Sequence, residues 1–483
     1  MYIQKLYELV WGVPALVLIL GVGVYLTVRT RFAQIRLFPA AIRDFFRRLR
    51  CREAGTEGVS PFQALCTALA ATVGTGNIVG VAGAMTIGGP GAIFWMWVSA
   101  LLGMVTKMAE ATLAVRFREC ADGENIGGPM YYIRHGLGKK WAFLAGIYSF
   151  FGVVAAFGVG NATQVNAVIG SIRTCAENFG VVPGRFFDLA LGAGLAVIVL
   201  ILLLGGAKRI GAVAEYLVPL MAAGYLLIAL AVLALRYQAI PYAFAAIFEG
   251  AFSPRAVTGG VVGSLMTTLR IGVSRGVFTN EAGMGTAAMA HGSADVRHPV
   301  QQGLMGIMEV FLDTIVICTV TALVILCSGV SVPYGIDNCP DLTADAFSAV
   351  LGNWTRLFIA VSLSLFAFAT ILGWGLYGAR SAQYLFGHTV WKRFVWLQAA
   401  TVVVGAVLNT STVWHLAEIV NGLMAIPNLI ALALLSPELC RLIKQYEGLF
   451  GRKANGGTYE DLDQCQSLRT VSHAEIPSHG GAG

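Results

Sequence analysis

Two stretches set glycines beside polar side chains where the flanking sequence is apolar. The first is Gly74-Thr75-Gly76-Asn77, in the middle of an apolar run at 61–88 that closes on Gly88-Gly89-Pro90-Gly91. The second holds Thr268, Arg270, Gly272, Ser274, Arg275 and Gly276 within the run 256–288. Neither is good material for a continuous helix, so a break is expected in each. In hydrocarbon an unpaired backbone N–H or C=O costs several kcal/mol, and unwound chain survives only where protein or ligand satisfies it. Glycines at 74 and 76 let a ligand approach the main chain. The N–H groups freed at the start of the following half-helix favour a carboxylate, by roughly 0.3 to 2 kcal/mol. The carbonyls freed before the break suit a hard cation such as sodium, alongside hydroxyls such as those of Thr72 and Thr370. Together these groups describe a pocket for a zwitterion and a cation. A second reading stands beside it: Gly76 and Gly80 have the G-x-x-x-G spacing of a close helix contact.

Charged residues inside apolar runs are the next candidates, because charge in a membrane is costly. Lys107 and Glu110 read as a pair near a helix end. Arg270 and Glu281 flank the second expected break and would hold or gate it. Glu309 and Asp313 lie one helical turn apart, as a helix-locking pair or a proton-coupling site. Asn161 and Gln164, polar in the run 141–170, offer either pocket contacts or interhelical hydrogen bonds. Thr370 is read as a cation ligand or as back-bonded to its own helix. Gly272-Val273-Ser274-Arg275-Gly276 fits the nucleophile-elbow pattern but lies in an apolar helix, not a strand-to-helix turn, so no enzyme is read from it. The nine cysteines include no C-x-x-C pair. Cys175 and Cys339 fall in loops on one expected side, which leaves a disulfide between them open.

These residues need a membrane to position them. Of 483 residues, 57% are hydrophobic and 12% charged, and mean hydropathy is +0.71, more apolar surface than one soluble core hides. Apolar segments run at 10–28, 61–88, 91–115, 141–170, 186–204, 211–235, 256–288, 301–329, 354–386, 391–409 and 414–440. The expectation is therefore an all-α membrane protein of 11 transmembrane helices, the first retained rather than cleaved. The net charge of +7 is explained by the sidedness of Lys and Arg, without nucleic acid. Arg29 to Arg52 is the densest basic run, and later loops on the same side carry Arg116, Lys139, Lys140, Lys208, Lys392 and Arg393. The positive-inside rule places that side in the cytoplasm, with the N-terminus outside and the C-terminus inside.

The two expected breaks lie about 195 residues apart, and each opens a block of five spans entering from opposite sides, an inverted repeat. The expected organisation is an N-terminal helix and basic loop at 1–60, a first repeat at 61–235, a second at 256–440, and a polar cytoplasmic tail at 441–483. The stretch 120–140 is expected as a short amphipathic piece at the interface.

Gly74-Thr75-Gly76-Asn77-Ile78-Val79-Gly80-Val81, followed by Gly88-Gly89-Pro90-Gly91-Ala92-Ile93-Phe94-Trp95-Met96-Trp97, resembles the hallmark of the alanine or glycine:cation symporters. The run Arg270 to Gly285 is similar to that family's second broken helix, and Gly373-Trp374, Tyr377-Gly378 and Tyr384 to Gly387 to a later span. The resemblance covers about residues 10 to 440. It implies a LeuT-like fold of ten core helices plus one, alternating access, and sodium-driven uptake of alanine or glycine across a bacterial inner membrane. It assigns the substrate to Thr75, Gly76, Asn77, Asn161, Gln164, Thr268, Ile271 and Trp374, and sodium, the coupling ion, to Thr72, Val73, Ala369 and Thr370. Trp374 would wall the pocket against larger side chains; its alternative is an ordinary packed aromatic. The family often has serine where this chain has Ala369 and glutamate where it has Ala379. Partners implied are the amino acid and membrane lipid, with a monomer or weak oligomer. Proton coupling, or another substrate such as glutamine or serine, is the alternative.

Overall fold

The computed structural model describes residues 10, 12–50, 58–121, 123–178, 180, 183–253, 265–336, 341–407 and 411–453. The start of the second apolar block, Cys339 and the end of the polar tail lie outside them. Among the described residues the structure is helical, apart from a hairpin of Glu119–Ala121 with Glu124–Ile126 and an isolated bridge.

Among the described residues, eight helices are long and apolar enough to cross a membrane: Gly91–Arg116, Lys139–Glu177, Arg185–Leu203, Gly206–Leu235, Pro299–Ser328, Trp354–Phe386, His388–Val407 and Ile419–Leu449. They coincide with eight of the eleven expected segments. Within the described residues the other three form no continuous helix of that length. Val13–Arg29 has 17 residues, and the runs at 61–88 and 256–288 are interrupted.

The first interruption falls where glycine predicts it. Pro61–Thr72 opens with a capping box, in which Gln63 N donates to Ser60 Oγ and Ser60 N to Gln63 Oε1. It ends at Val73, whose backbone is extended. A single turn at Thr75–Asn77 follows, and the helix resumes at Val79–Gly88. Asn77 Oδ1 accepts from Gly74 N at 2.9 Å, so a side chain replaces a lost helical partner.

The second break corrects the expectation. Leu265–Asn280 is helical straight through Arg270–Gly276, and the chain unwinds only afterwards, at Glu281 (φ +53°), Gly283 (φ +93°) and Gly285 (φ +77°). Gly272 and Gly276 serve packing instead. A Cβ on Gly272 would lie 2.3 Å from Ala92 O, and one on Gly276 2.2 Å from Ser99 Oγ, so both let this helix sit against Gly91–Arg116. Pro299–Val310 packs on the same helix, where a Cβ on Gly303 would lie 2.2 Å from Thr112 Oγ1.

Corresponding spans of the two expected halves also pack on one another: Arg185–Leu203 on Trp391–Val407, and Thr163–Asn178 on Trp354–Phe386. Large apolar side chains such as Phe186, Leu220, Leu227 and Tyr242 remain exposed on the outside of the bundle, where lipid would cover them. The stretch 120–140 includes a π-helical turn, Tyr132–Leu137, buried at Tyr132 and Ile133 and exposed at Arg134 and His135. It forms the hairpin and a short helix, Pro129–Tyr131, with Tyr131 and Tyr132 buried. Glu124 of the hairpin pairs with buried Arg380 at 2.7 Å.

Candidate functional site

The first break and the end of Leu265–Asn280 meet at Gly76, where a Cβ would come within 3.3 Å of Thr279 Oγ1. A small cavity opens beside this junction. The first break contributes Ala71, Thr72, Gly74, Thr75 and Gly76 to its wall, and the second broken helix Phe278, Thr279 and Glu281. Val159, Gln164, Thr370 and Trp374 complete it.

Each polar side chain in the wall has a hydrogen-bond partner. Thr75 Oγ1 donates to Gln164 Oε1 at 3.4 Å, and Gln164 Nε2 donates to Val159 O at 3.2 Å. Gln164 is thus held by a carbonyl within a π-helical stretch, Gly158–Ala162, where widened backbone exposes such groups. Trp374 is fully buried, and its Nε1 donates to Glu281 Oε1 at 3.0 Å. Its ring needs glycine opposite: a Cβ on Gly160 would lie 2.3 Å from Trp374 Cβ. Thr72 and Thr370 both donate to carbonyls of their own helices, at 3.2 Å to Ala68 O and 3.1 Å to Phe366 O. Their hydroxyl lone pairs remain to accept or ligate. Thr370 Oγ1 lies 2.7 Å from where a Gly74 Cβ would be, so these oxygens gather at the end of Pro61–Thr72. Val73 and Ala369 are buried beside them and carry no side-chain oxygen, leaving each only a carbonyl to offer.

Four expected site residues fall elsewhere. Asn77 lies behind the break and donates to Asp313 Oδ1 at 2.7 Å and Asp313 O at 3.2 Å. Asn161 donates to Gln398 O at 2.8 Å, an interhelical tie. Thr268 donates to Gly88 O at 2.9 Å, and Ile271 packs against Gly88. At 1.5 Å per residue, Thr268 and Ile271 are roughly 15 and 10 Å up the helix from Phe278. They hold the far end of the first broken span, not the cavity. Phe278 and Thr279 take the place assigned to them, and the sequence signal that would have found these two is the turn-forming Asn280-Glu281-Ala282-Gly283-Met284-Gly285. Gly80, the other half of the G-x-x-x-G spacing, has nothing within 4 Å of its Cβ position, so no close contact forms there.

Behind the cavity lies a buried cluster of charge. Lys107 and Glu110 are not a pair at a helix end; both are fully buried. Lys107 Nζ is 3.3 Å from Glu309 Oε1, and Glu309 Oε2 is bonded to His291 Nε2 at 2.8 Å. Gln302 Nε2 bonds His291 Nδ1 at 2.7 Å, which makes Nδ1 the acceptor and Nε2 the donor to Glu309. Glu110 Oε1 accepts from Gly283 N, Gly285 N and Asn428 Nδ2, at 2.9, 3.0 and 2.7 Å. The second break is therefore satisfied by a buried carboxylate. Glu281 holds it too, through Thr286 Oγ1 at 2.5 Å, whereas Arg270 lies more than two turns before it.

A sequence model of the sodium:alanine symporter family matches residues 1–458. The chain belongs to the sodium:alanine symporter family. Among its relatives, the sodium/alanine symporter AgcS of Methanococcus maripaludis is 44% identical over 446 residues, 90% of this chain and 94% of that one. An uncharacterized transporter of Haemophilus influenzae is 43% identical over 446 residues, again 90% and 94% of the two chains. The probable sodium/glutamine symporter GlnT of Bacillus subtilis is 37% identical over 447 residues, 91% and 89%. The crystal structure of MhsT in complex with L-phenylalanine superposes with a TM-score of 0.53 at 15% identity, covering 81% of this chain and 99% of that one. That likeness shows the fold, which is LeuT-like. The symporter is thus a multi-pass membrane transporter and not an enzyme, and its family couples amino-acid transport to sodium.

Proposed function

We propose that this symporter carries alanine, and glycine with it, into the cell with sodium by alternating access. The observation that carries the reading is the convergence of Thr75, Gly76, Gln164 and Trp374 on one cavity, with Thr72 and Thr370 at its edge. Backbone N–H groups at the Gly74–Asn77 break would receive the substrate carboxylate. The carbonyls of Val73 and Ala369, with the hydroxyls of Thr72 and Thr370, would receive sodium. Ala369 offers no hydroxyl, so this cation shell rests on fewer side-chain oxygens. The buried Trp374 ring fills the space that a larger side chain would need. Asn77 supports this site from behind and does not touch the substrate.

The proposal includes an inverted repeat at 61–235 and 256–440, each half contributing one break, and Val13–Arg29 as the extra helix. It also sets the chain in a bacterial inner membrane with the N-terminus outside, from the basic loops. Glutamine is the second reading, supported by the relative described as a probable sodium/glutamine symporter.

Uptake of labelled alanine, glycine and glutamine into proteoliposomes tests this, with an inward sodium gradient, an inward proton gradient, or neither. Accumulation of alanine with sodium alone is expected. Accumulation with protons alone would move the coupling site to groups such as Glu309 or Asp313, and accumulation of glutamine alone would move the substrate. Thr75→Val keeps the side-chain shape and removes the hydroxyl that meets Gln164. It is expected to weaken alanine binding by about tenfold or more while the protein still folds.

A further inference from the structure

Four carboxylates are buried around the two breaks, Glu110, Glu281, Glu309 and Asp313, and they differ in their partners and in their access to the cavity. Glu309 has the Lys107 ammonium and the His291 N–H. Glu110 has two backbone N–H groups and the Asn428 amide. Asp313 has the Asn77 amide and the Thr314 hydroxyl, at 2.7 Å each, and does not line the cavity. Glu281, like Asp313, has two neutral donors among the described residues, Trp374 Nε1 and Thr286 Oγ1. It alone of the four lines the cavity.

A buried carboxylate held by neutral donors gains most from a cation that can come to it. Lys107, the buried ammonium of this cluster, is already engaged by Glu309. Each Glu281 oxygen accepts one hydrogen bond and keeps capacity for another. The backbone is also committed to this placement. Glu281 is left-handed, φ +53°, a conformation that costs a non-glycine residue and is kept where the surroundings dictate it. Arg31 and Phe32, the other non-glycine residues with positive φ among those described, lie in a surface turn.

We propose that Glu281 is the specificity-determining residue that accepts the substrate's α-ammonium group, pairing with it directly across the cavity from the N–H groups of the first break. This rests on the amino-acid symport reading and deepens it. The zwitterion is then bound at both ends by opposite halves of the fold: its carboxylate by unwound backbone near Thr75 and Gly76, its ammonium by the residue that opens the second break. A molecule with the carboxylate but no ammonium would leave Glu281 buried and uncompensated, which selects amino acids over hydroxy acids.

Equilibrium binding of L-alanine and of L-lactate to the purified full-length protein in saturating sodium tests the assignment. Lactate keeps the methyl and carboxylate and replaces the ammonium with a hydroxyl. The wild type is expected to prefer alanine. In Glu281→Gln, alanine affinity is expected to fall by about 10- to 100-fold, the range of a hydrogen bond to a charged group, with little change for lactate. Glu281→Asp keeps the charge but retracts it by one methylene, and its alanine-to-lactate ratio is expected to fall by at least about threefold. That variant decides the matter if the glutamine variant does not fold. Equal weakening of both ligands would mean that Glu281 only positions Trp374, and would overturn the proposal. So would an unchanged ratio, or a loss confined to sodium affinity. Absence of alanine binding by the wild type would overturn the symport reading, and this inference with it.

Discussion

Asn77 ties the first break to Asp313: its Nδ2 donates to Asp313 at 2.7 Å while its Oδ1 accepts from Gly74 N at 2.9 Å. Asp313 sits in Pro299–Ser328, whose Glu309 bonds His291 beyond the second break and whose Thr314 accepts from Asn280 just before it. One unbroken helix thus fixes the ends of both interruptions.

Removing that lock should be expensive. Asn77→Ala leaves the Asp313 carboxylate short of a donor and the Gly74 N–H without its acceptor, a loss of about 2 to 5 kcal/mol. The expected result is a lower melting temperature in detergent together with lost alanine binding. A melting temperature equal to that of the wild type would show that the lock carries no weight.

Trp374 offers a test of pocket size. Trp374→Ala opens space beside Gly160 and is expected to admit larger neutral amino acids, at a stability cost of about 3 to 5 kcal/mol. Competition of bulkier amino acids against labelled alanine reads this directly. Unchanged selectivity in a folded variant would remove Trp374 from the pocket wall.

For Lys107 and Glu309 the informative quantity is non-additivity. Either Lys107→Met or Glu309→Gln alone strands a buried charge and is expected to cost about 3 to 5 kcal/mol. The double variant should cost clearly less than the two summed. Denaturation midpoints of all four proteins measure it, and strict additivity would mean that the two groups do not interact.

His298 supplies a pH dependence outside the spans. Its Nδ1 accepts from Val300 N at 3.2 Å, capping Pro299–Val310, and burial pushes the imidazole down from 6.5 to about 4. A protonated Nδ1 cannot accept that bond. Between these two values the unfolded chain takes up a proton that the folded one refuses, so this contribution is intact above about pH 6.5 and is lost as pH falls toward 4. Melting curves of the wild type should therefore drop over that window more steeply than those of His298→Asn, in which asparagine retains an acceptor for the cap. Parallel curves would exclude His298 as the cause.

The sequence made the membrane architecture legible because hydropathy is a local property. Eight expected segments return as long apolar helices, and the first break falls at Gly74–Asn77, where glycine weakens the helix and Asn77 can bond its own main chain. The second break lies later than the sequence suggests, because Gly272 and Gly276 look the same in sequence whether they unwind a helix or let another lie against it. Only the position of Gly91–Arg116 distinguishes the two, and it makes them packing glycines. Thr268 and Ile271 lie away from the cavity for the same reason, and Phe278 and Thr279, about two to three turns on, line it instead.

By itself, then, the chain determined that it crosses the membrane repeatedly, and that polar groups such as Thr75, Gln164 and Trp374 had to find something to do in an apolar setting. Tertiary structure decided which polar group answers which. Lys107 faces Glu309 and not the nearby Glu110, Asn77 faces Asp313, and Glu281 reaches Trp374. The physical reason is that a buried charge or amide is stabilised by partners brought from distant parts of the chain, and the spacing of residues along one helix carries no record of them.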